Sequence, residues 1–142
     1  MKVAILAGGR GTRLSEETSI KPKPMVNIGE YPVLWHIMKI YSSYGFNEFV
    51  IALGYLGDIV KDYFLSYRYR SRSISVQVDS GEVIIRDSGT EKWSVHLLDT
   101  GLDTSTGGRV RRIADFVGKE PFMLTYGDGL ADINIPKLLD LH

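Results

Sequence analysis

The sequence contains no cysteine, which excludes disulfide staples, thiolate metal sites and a cysteine nucleophile, and suits a reducing cytoplasm. It has no excess of charge of either sign: 17 basic residues face 17 acidic ones. No global field therefore recruits nucleic acid or an anionic membrane, and recognition must come from local clusters. No apolar run is long enough to span a bilayer, and Val3–Ala7 supplies only five apolar residues between Lys2 and the first glycines, too few for a secretory signal. The expectation is a soluble, cytoplasmic protein with neither nucleic acid nor membrane as partner. Two familiar phosphate loops are missing as well. No Gly-x4-Gly-Lys-Ser/Thr string occurs, and the third glycine of a dinucleotide fingerprint would fall at Leu14.

What is present is a glycine loop of another kind. Lys2-Val3-Ala4-Ile5-Leu6 is a short, β-branched apolar run, read as a buried parallel strand, and it opens into Ala7-Gly8-Gly9-Arg10-Gly11-Thr12-Arg13-Leu14. In open α/β sheets, ligands settle at the carboxyl edge where the strand order reverses. Three glycines within four positions let backbone N–H groups converge on one anion. Thr12 adds a hydroxyl donor, and Arg10, Arg13, Lys21 and Lys23 add four cations within 14 residues. The loop and the segment Lys21-Pro22-Lys23-Pro24-Met25 read together as a polyphosphate cradle.

The rest of the chain alternates strands and helices. A helix is expected from Glu30-Tyr31-Pro32, with Val33, Ile37, Ile40, Tyr41 and Tyr44 as its apolar stripe and Gly45 as its C′ residue. His36 lies in it without a ligand partner at metal spacing and reads as structural. Glu48–Leu53 is a second buried strand, after which Asp58 is the expected cap of a helix whose buried face is Ile59, Val60, Tyr63, Phe64 and Tyr67. From 68 to 92 the pattern changes. Arg68, Arg70 and Arg72 alternate with Tyr and Ser, a solvated edge or subunit contact rather than a nucleic-acid stripe, and 75–78 with 82–85 form a hairpin that looks like an insertion. Trp93–Asp99 returns to a strand.

Two further stretches carry chemistry. After Asp99-Thr100-Gly101, small and hydroxyl residues lead through Thr104-Ser105-Thr106-Gly107-Gly108 into a helix bearing Val110, Ile113, Ala114 and Val117, with Thr106 as its expected N-cap. Arg109 falls in the first turn, where a cation opposes the helix dipole unless an anion is near. Then Phe122–Tyr126 delivers Gly127-Asp128-Gly129, one carboxylate between two glycines. That suits a magnesium ion, which takes one or two carboxylates and fills its shell with water and phosphate oxygens. Asp132 fits a helix cap at least as well.

These segments, together with Ser-Glu-Glu-Thr at 15–18 and Leu-Trp-His-Ile-Met-Lys at 34–39, are similar in order and spacing to the sugar-nucleotidyltransferases, and within them to the cytidylyltransferase branch. The resemblance implies a Rossmann-like α/β fold: a mostly parallel sheet with helices on both faces, built as a single domain over 1–142. It further implies a magnesium-dependent reaction of CTP with glucose 1-phosphate to CDP-glucose and pyrophosphate, an entry to CDP-linked sugars of surface polysaccharide. Leu6, Ala7, Gly8, Gly9, Arg10, Gly11, Thr12 and Gly127 would then hold the nucleotide, with Thr104 and Arg109 contacting it from the second loop. Arg13, Lys23 and Asp128 would be catalytic: Arg13 screening the triphosphate, Lys23 at the α-phosphate, Asp128 as the metal ligand. The family runs well past 142 residues, and its later part supplies most of the sugar pocket and a second metal-binding aspartate. The chain thus corresponds to its N-terminal part. Uridylyl or thymidylyl transfer, a non-catalytic nucleotide-binding module, and assembly into a homo-oligomer all stay open.

Overall fold

A computed structural model describes residues 1–9, 21–70, 72–87 and 91–127. Its central feature is a four-stranded parallel sheet. Strand β1 (Lys2–Leu6) lies at the middle; the short pair β2 (Asn27–Ile28) and β3 (Tyr31–Pro32) precedes helix α1 (Val33–Ser43), which leads to β4 (Glu48–Leu53). Helix α2 (Gly57–Leu65) follows, then a separate antiparallel hairpin, β5 (Ile74–Gln77) and β6 (Glu82–Ile85). Strand β7 (Ser94–Asp99), helix α3 (Thr106–Val117) and strand β8 (Phe122–Tyr126) complete the described chain.

The order across the sheet is β7-β4-β1-β8. The chain moves outward from β1 through β4 to β7, then returns to the other side of β1 as β8. Right-handed crossovers place helices on one face while the chain moves one way and on the opposite face when it reverses. The packing follows that rule. Val3, Ile5, Phe49, Ile51 and Leu53 pack with Leu34, Ile37 and Met38 of α1 and Val60 and Tyr63 of α2. On the other face Ala4, Leu6, Val50 and Ala52 pack with Ile113 and Val117 of α3. Both faces of β1 and β4 are therefore dry, which is why these strands read as unbroken apolar runs. Reversal between β1 and β8 opens a crevice at their carboxyl ends. Register pins that crevice: Leu6 pairs with Ala52 on one side and Tyr126 on the other.

Helix starts differ from expectation. Pro32 is the N-cap of α1, not a residue inside its first turn, with an extended ψ of 155°. Gly29, at φ +69°, turns the chain so that Tyr31–Pro32 pairs back on Asn27–Ile28 before the helix begins. Tyr44 falls beyond the last helical residue and is exposed, and Gly45 (φ +90°) follows it as expected. Helix α2 is entered through Leu56 in the left-handed region (φ 54°), so Asp58 sits in the first turn and favours the helix dipole without capping. His36 Nε2–H donates to the Ile28 carbonyl (2.8 Å), tying the β2–β3 turn to α1.

At the opposite, amino edge of the sheet, Glu48 accepts a hydrogen bond from His96 Nε2 (2.9 Å), with Lys2 Nζ 4.0 Å away. The His96 hydrogen bond, helped by Lys2, holds the Glu48 carboxyl below its usual 4.5. A depressed carboxyl contributes stability above the unfolded pKa and loses it as pH falls through the folded one. Glu48→Gln is therefore expected to be less stable than wild type at neutral pH, by a small margin that closes below pH 4.5. Urea midpoints at neutral pH and at about pH 3.5 check this; an equal gap at both would contradict it.

Candidate functional site

The carboxyl ends of β1, β7 and β8 meet over a cleft of about 230 Å3. Leu6, Ala7, Gly8 and Gly9 form its floor as the chain leaves β1. Lys23 and Pro24 come from a 3-10 turn, Thr104, Thr106 and Arg109 from the β7–α3 connection, and Tyr126 from the end of β8.

Each piece is held by its local sequence. The Ala7 N–H donates to the Ala52 carbonyl (3.0 Å) and the Tyr55 N–H to the Gly8 carbonyl (3.1 Å), so the glycine loop leaves β1 lashed to β4. A Cβ added at Gly9 would meet nothing within 4 Å, which leaves its backbone bare toward the cleft. Lys23 starts a turn that Pro22 precedes and Pro24 continues, in which the Met25 N–H donates to the Pro22 carbonyl (2.9 Å). Pro24 and Met25 are buried beneath it, and the Val33 N–H donates to the Val26 carbonyl (2.9 Å). Two prolines and two buried anchors hold the backbone under Lys23 in one place.

The second loop is built around Gly101 and Arg109. Gly101 takes φ +94°, and a Cβ there would collide with Thr104 Oγ1, so the turn packs on the Thr104 side chain. Ser105, rather than Thr106, is the N-cap: its ψ of 161° is extended and its Oγ accepts from the Gly108 N–H (3.2 Å). Thr106, one residue further, is free to line the cleft. Arg109 is 5% exposed. Its Nη1 donates to Thr100 Oγ1 (2.7 Å) and the Leu53 carbonyl (3.3 Å), and its Nη2 to the Leu102 carbonyl (3.3 Å). All three partners are neutral. Burial, with Arg112 nearby, pushes the guanidinium below its ordinary range. Gly8 and Gly54 make room for it, since a Cβ at either would run into Nη1.

Of the residues singled out by sequence, Leu6, Ala7, Gly8, Gly9, Lys23, Thr104 and Arg109 line this cleft together. Gly127 follows Tyr126, and its N–H donates to the Leu6 carbonyl (3.0 Å). Lys21 is not among the lining residues. Arg10, Gly11, Thr12, Arg13, Asp128 and Asp132 lie outside the described residues. Among the described residues, no group of three or more His, Asp or Glu side chains is placed to hold a metal, and no helix is long and apolar enough to cross a membrane. Thr100, Gly54 and Tyr126 belong to the arrangement without having been marked as site residues. The available signal was their position, each at or just past a strand's carboxyl end.

Parallel strands, helices on both faces and a glycine-floored crevice at the reversal of strand order define a doubly wound α/β protein with its ligand edge at β1 and β8. Residues 2–142 match the model of the nucleotidyl transferase family, and the chain belongs to that family. It is 49% identical over its whole length to a probable glucose-1-phosphate cytidylyltransferase of Bacillus subtilis, and 48% identical to the glucose-1-phosphate cytidylyltransferase of Salmonella typhimurium. The chain spans 56% of the length of each of these relatives. Among solved structures, HddC from Yersinia pseudotuberculosis complexed with GMP-PN superposes with a TM-score of 0.70 at 23% identity, over 99% of this chain and 53% of that one. That likeness carries the fold: a parallel sheet with helices on both faces.

Proposed function

We propose that the protein carrying this chain transfers a cytidylyl group. A phosphate oxygen of glucose 1-phosphate attacks the α-phosphorus of CTP; the new P–O bond forms as the bond to pyrophosphate breaks in line with it, giving CDP-glucose. Such a displacement asks the protein for positioning and charge neutralisation more than for proton transfer. The observation that carries the reading is the described lining of the cleft: two cations, Lys23 and Arg109, bare glycine backbone and two threonine hydroxyls, with no carboxylate among the described residues. A buried arginine whose hydrogen-bond partners among the described residues are all neutral calls for an anion. The identity to two glucose-1-phosphate cytidylyltransferases supports CTP and glucose 1-phosphate as the substrates.

In this reading the amides from Gly8 to Thr12 cradle the phosphates, Arg13 screens the triphosphate, and Lys23 sits at the α-phosphate. Thr104 and Arg109 contact the nucleotide from the far wall. Magnesium is part of the proposal. A lone carboxylate beside a phosphate chain fits its hard, oxygen-seeking, partly hydrated shell, and Asp128, two residues past the cleft-lining Tyr126, would hold it. When bound, it supplies Lewis-acid neutralisation of phosphate charge. The cytoplasm, where nucleoside triphosphates are made, is the expected setting.

The test is pyrophosphate release by the intact protein from glucose 1-phosphate with CTP, UTP, dTTP or GTP at equal concentration. CTP is expected to be used in preference to the other three. Preference for UTP or dTTP would move the protein to another branch of the family, and nucleotide binding without pyrophosphate release would make it a binding module.

A further inference from the structure

We propose that Thr100 is a positioning residue for Arg109, its buried hydroxyl fixing where the guanidinium stands in the cleft and thereby setting affinity for the nucleotide. This rests on the reading that Arg109 faces the nucleotide, and the experiment below separates the two. Thr100 is completely buried at the end of β7. Its Oγ1 lies 2.8 Å from the Leu53 carbonyl and 2.7 Å from Arg109 Nη1. A carbonyl only accepts and a guanidinium only donates, so the single hydroxyl proton must go to Leu53 and the oxygen lone pairs must face Arg109. The hydroxyl is locked in one orientation by two partners that admit no other.

Among the described residues this hydroxyl is the tightest hold on the cation. The other hydrogen bonds of the guanidinium to described residues, to the Leu53 and Leu102 carbonyls, are both 3.3 Å. Thr100 is fixed in its turn by its own backbone, whose N–H donates to the same Leu53 carbonyl (2.9 Å). The chain of support thus runs from the end of β4, through Thr100 at the end of β7, to a side chain rising from the first turn of α3. Gly8 and Gly54 leave the space in which Nη1 sits, but they exert no pull on it. Without the hydroxyl, Nη1 would keep a long bond to one carbonyl and an unmatched N–H in a dry site, and the guanidinium would leave its present position to recover a partner.

The experiment compares wild type with Thr100→Val, Thr100→Ser, Arg109→Ala and the double variant Thr100→Val/Arg109→Ala in the intact protein, reading CTP affinity by titration and turnover by pyrophosphate release. Thr100→Val is expected to weaken CTP binding by about tenfold, and Thr100→Ser by less than about threefold, because only the first deletes a hydrogen bond to a charged group. The loss should appear in the KM for CTP more than in kcat. The double variant should bind no worse than Arg109→Ala alone, as expected for two groups acting as one unit. Wild-type affinity in Thr100→Val beside a weakened Arg109→Ala overturns the positioning role and leaves Arg109 on the nucleotide. Equal losses in the Val and Ser variants overturn it too, since packing rather than the hydroxyl would then be responsible. Wild-type affinity in Arg109→Ala overturns the underlying reading itself. Should Thr100→Val fail to fold, Thr100→Ala against Thr100→Ser isolates the same hydroxyl, and equal affinities in that pair count against the proposal.

Discussion

Replacing Lys23 by Ala is expected to lower kcat for pyrophosphate release by about 10²–10³-fold, equivalent to roughly 3–4 kcal/mol of lost transition-state stabilisation. The size follows from how the lysine is mounted. A charge contributes most when it is already in place and need not reorganise as the reaction proceeds, and the backbone beneath Lys23 is restrained by Pro22 and Pro24 and anchored by the buried Met25. Its side chain enters a cleft that contains no carboxylate among its described lining, so its field is not cancelled locally. CTP affinity should fall much less, because glycine-loop amides and Arg109 would share the ground-state triphosphate while Lys23 meets the charge that develops at the α-phosphorus. Lys23→Arg is expected to recover only part of the rate, since a planar fork on a longer stem does not place its charge where a compact ammonium does. Steady-state kinetics with a parallel CTP titration decides the matter. A kcat within about threefold of wild type would remove Lys23 from the transition state, whatever happened to binding.

The strands of this fold are legible because burial on both faces demands unbroken apolar, β-branched runs, and Val3–Leu6 and Phe49–Leu53 have nothing else to offer. Helix starts were not. Ser105 and Thr106 are adjacent hydroxyl residues with equal capping chemistry, and the choice between them is made by where Gly101 turns the chain, a choice no window of local sequence contains. At Leu56 an ordinary apolar residue takes the left-handed conformation while Gly57 packs its bare Cα side against the Leu53 Cβ, so the glycine that attracts attention is needed for space and its neighbour bears the strain. The site divides the same way. A first-turn arginine is conspicuous along the sequence because it opposes the helix dipole. That Thr100 holds it, and that Gly8 and Gly54 shape the hole around it, depends on residues 9 to 101 positions away meeting at one edge, which only the strand order β7-β4-β1-β8 brings about.

Gly54→Ala tests that meeting point and carries the largest expected effect on the folded state. A Cβ at Gly54 would stand 2.5 Å from Arg109 Nη1, 2.6 Å from the Gly8 carbonyl and 2.9 Å from the Gly101 carbonyl. The first of these atoms ends a side chain, but the other two are backbone, fixed by the loops that leave β1 and β7. One methyl therefore pushes three strand ends apart, and overpacking of this kind costs about 1–3 kcal/mol, occasionally more. The guanidinium must move as well, so CTP affinity in whatever protein remains folded is expected to drop by tenfold or more, on the order of the 1.4 kcal/mol that a displaced charged contact readily exceeds. Gly107→Ala is the control for the chemistry of the substitution: it adds the same methyl within α3, where nothing lies within 4 Å, and should leave stability unchanged or raise it by up to about 1 kcal/mol. Chemical denaturation of the three proteins gives the comparison. If Gly54→Ala matched Gly107→Ala in stability, the three strand ends would have enough slack to absorb a methyl, and the close packing of Gly54 against Arg109 and the Gly8 and Gly101 carbonyls could not be what holds the cleft in shape.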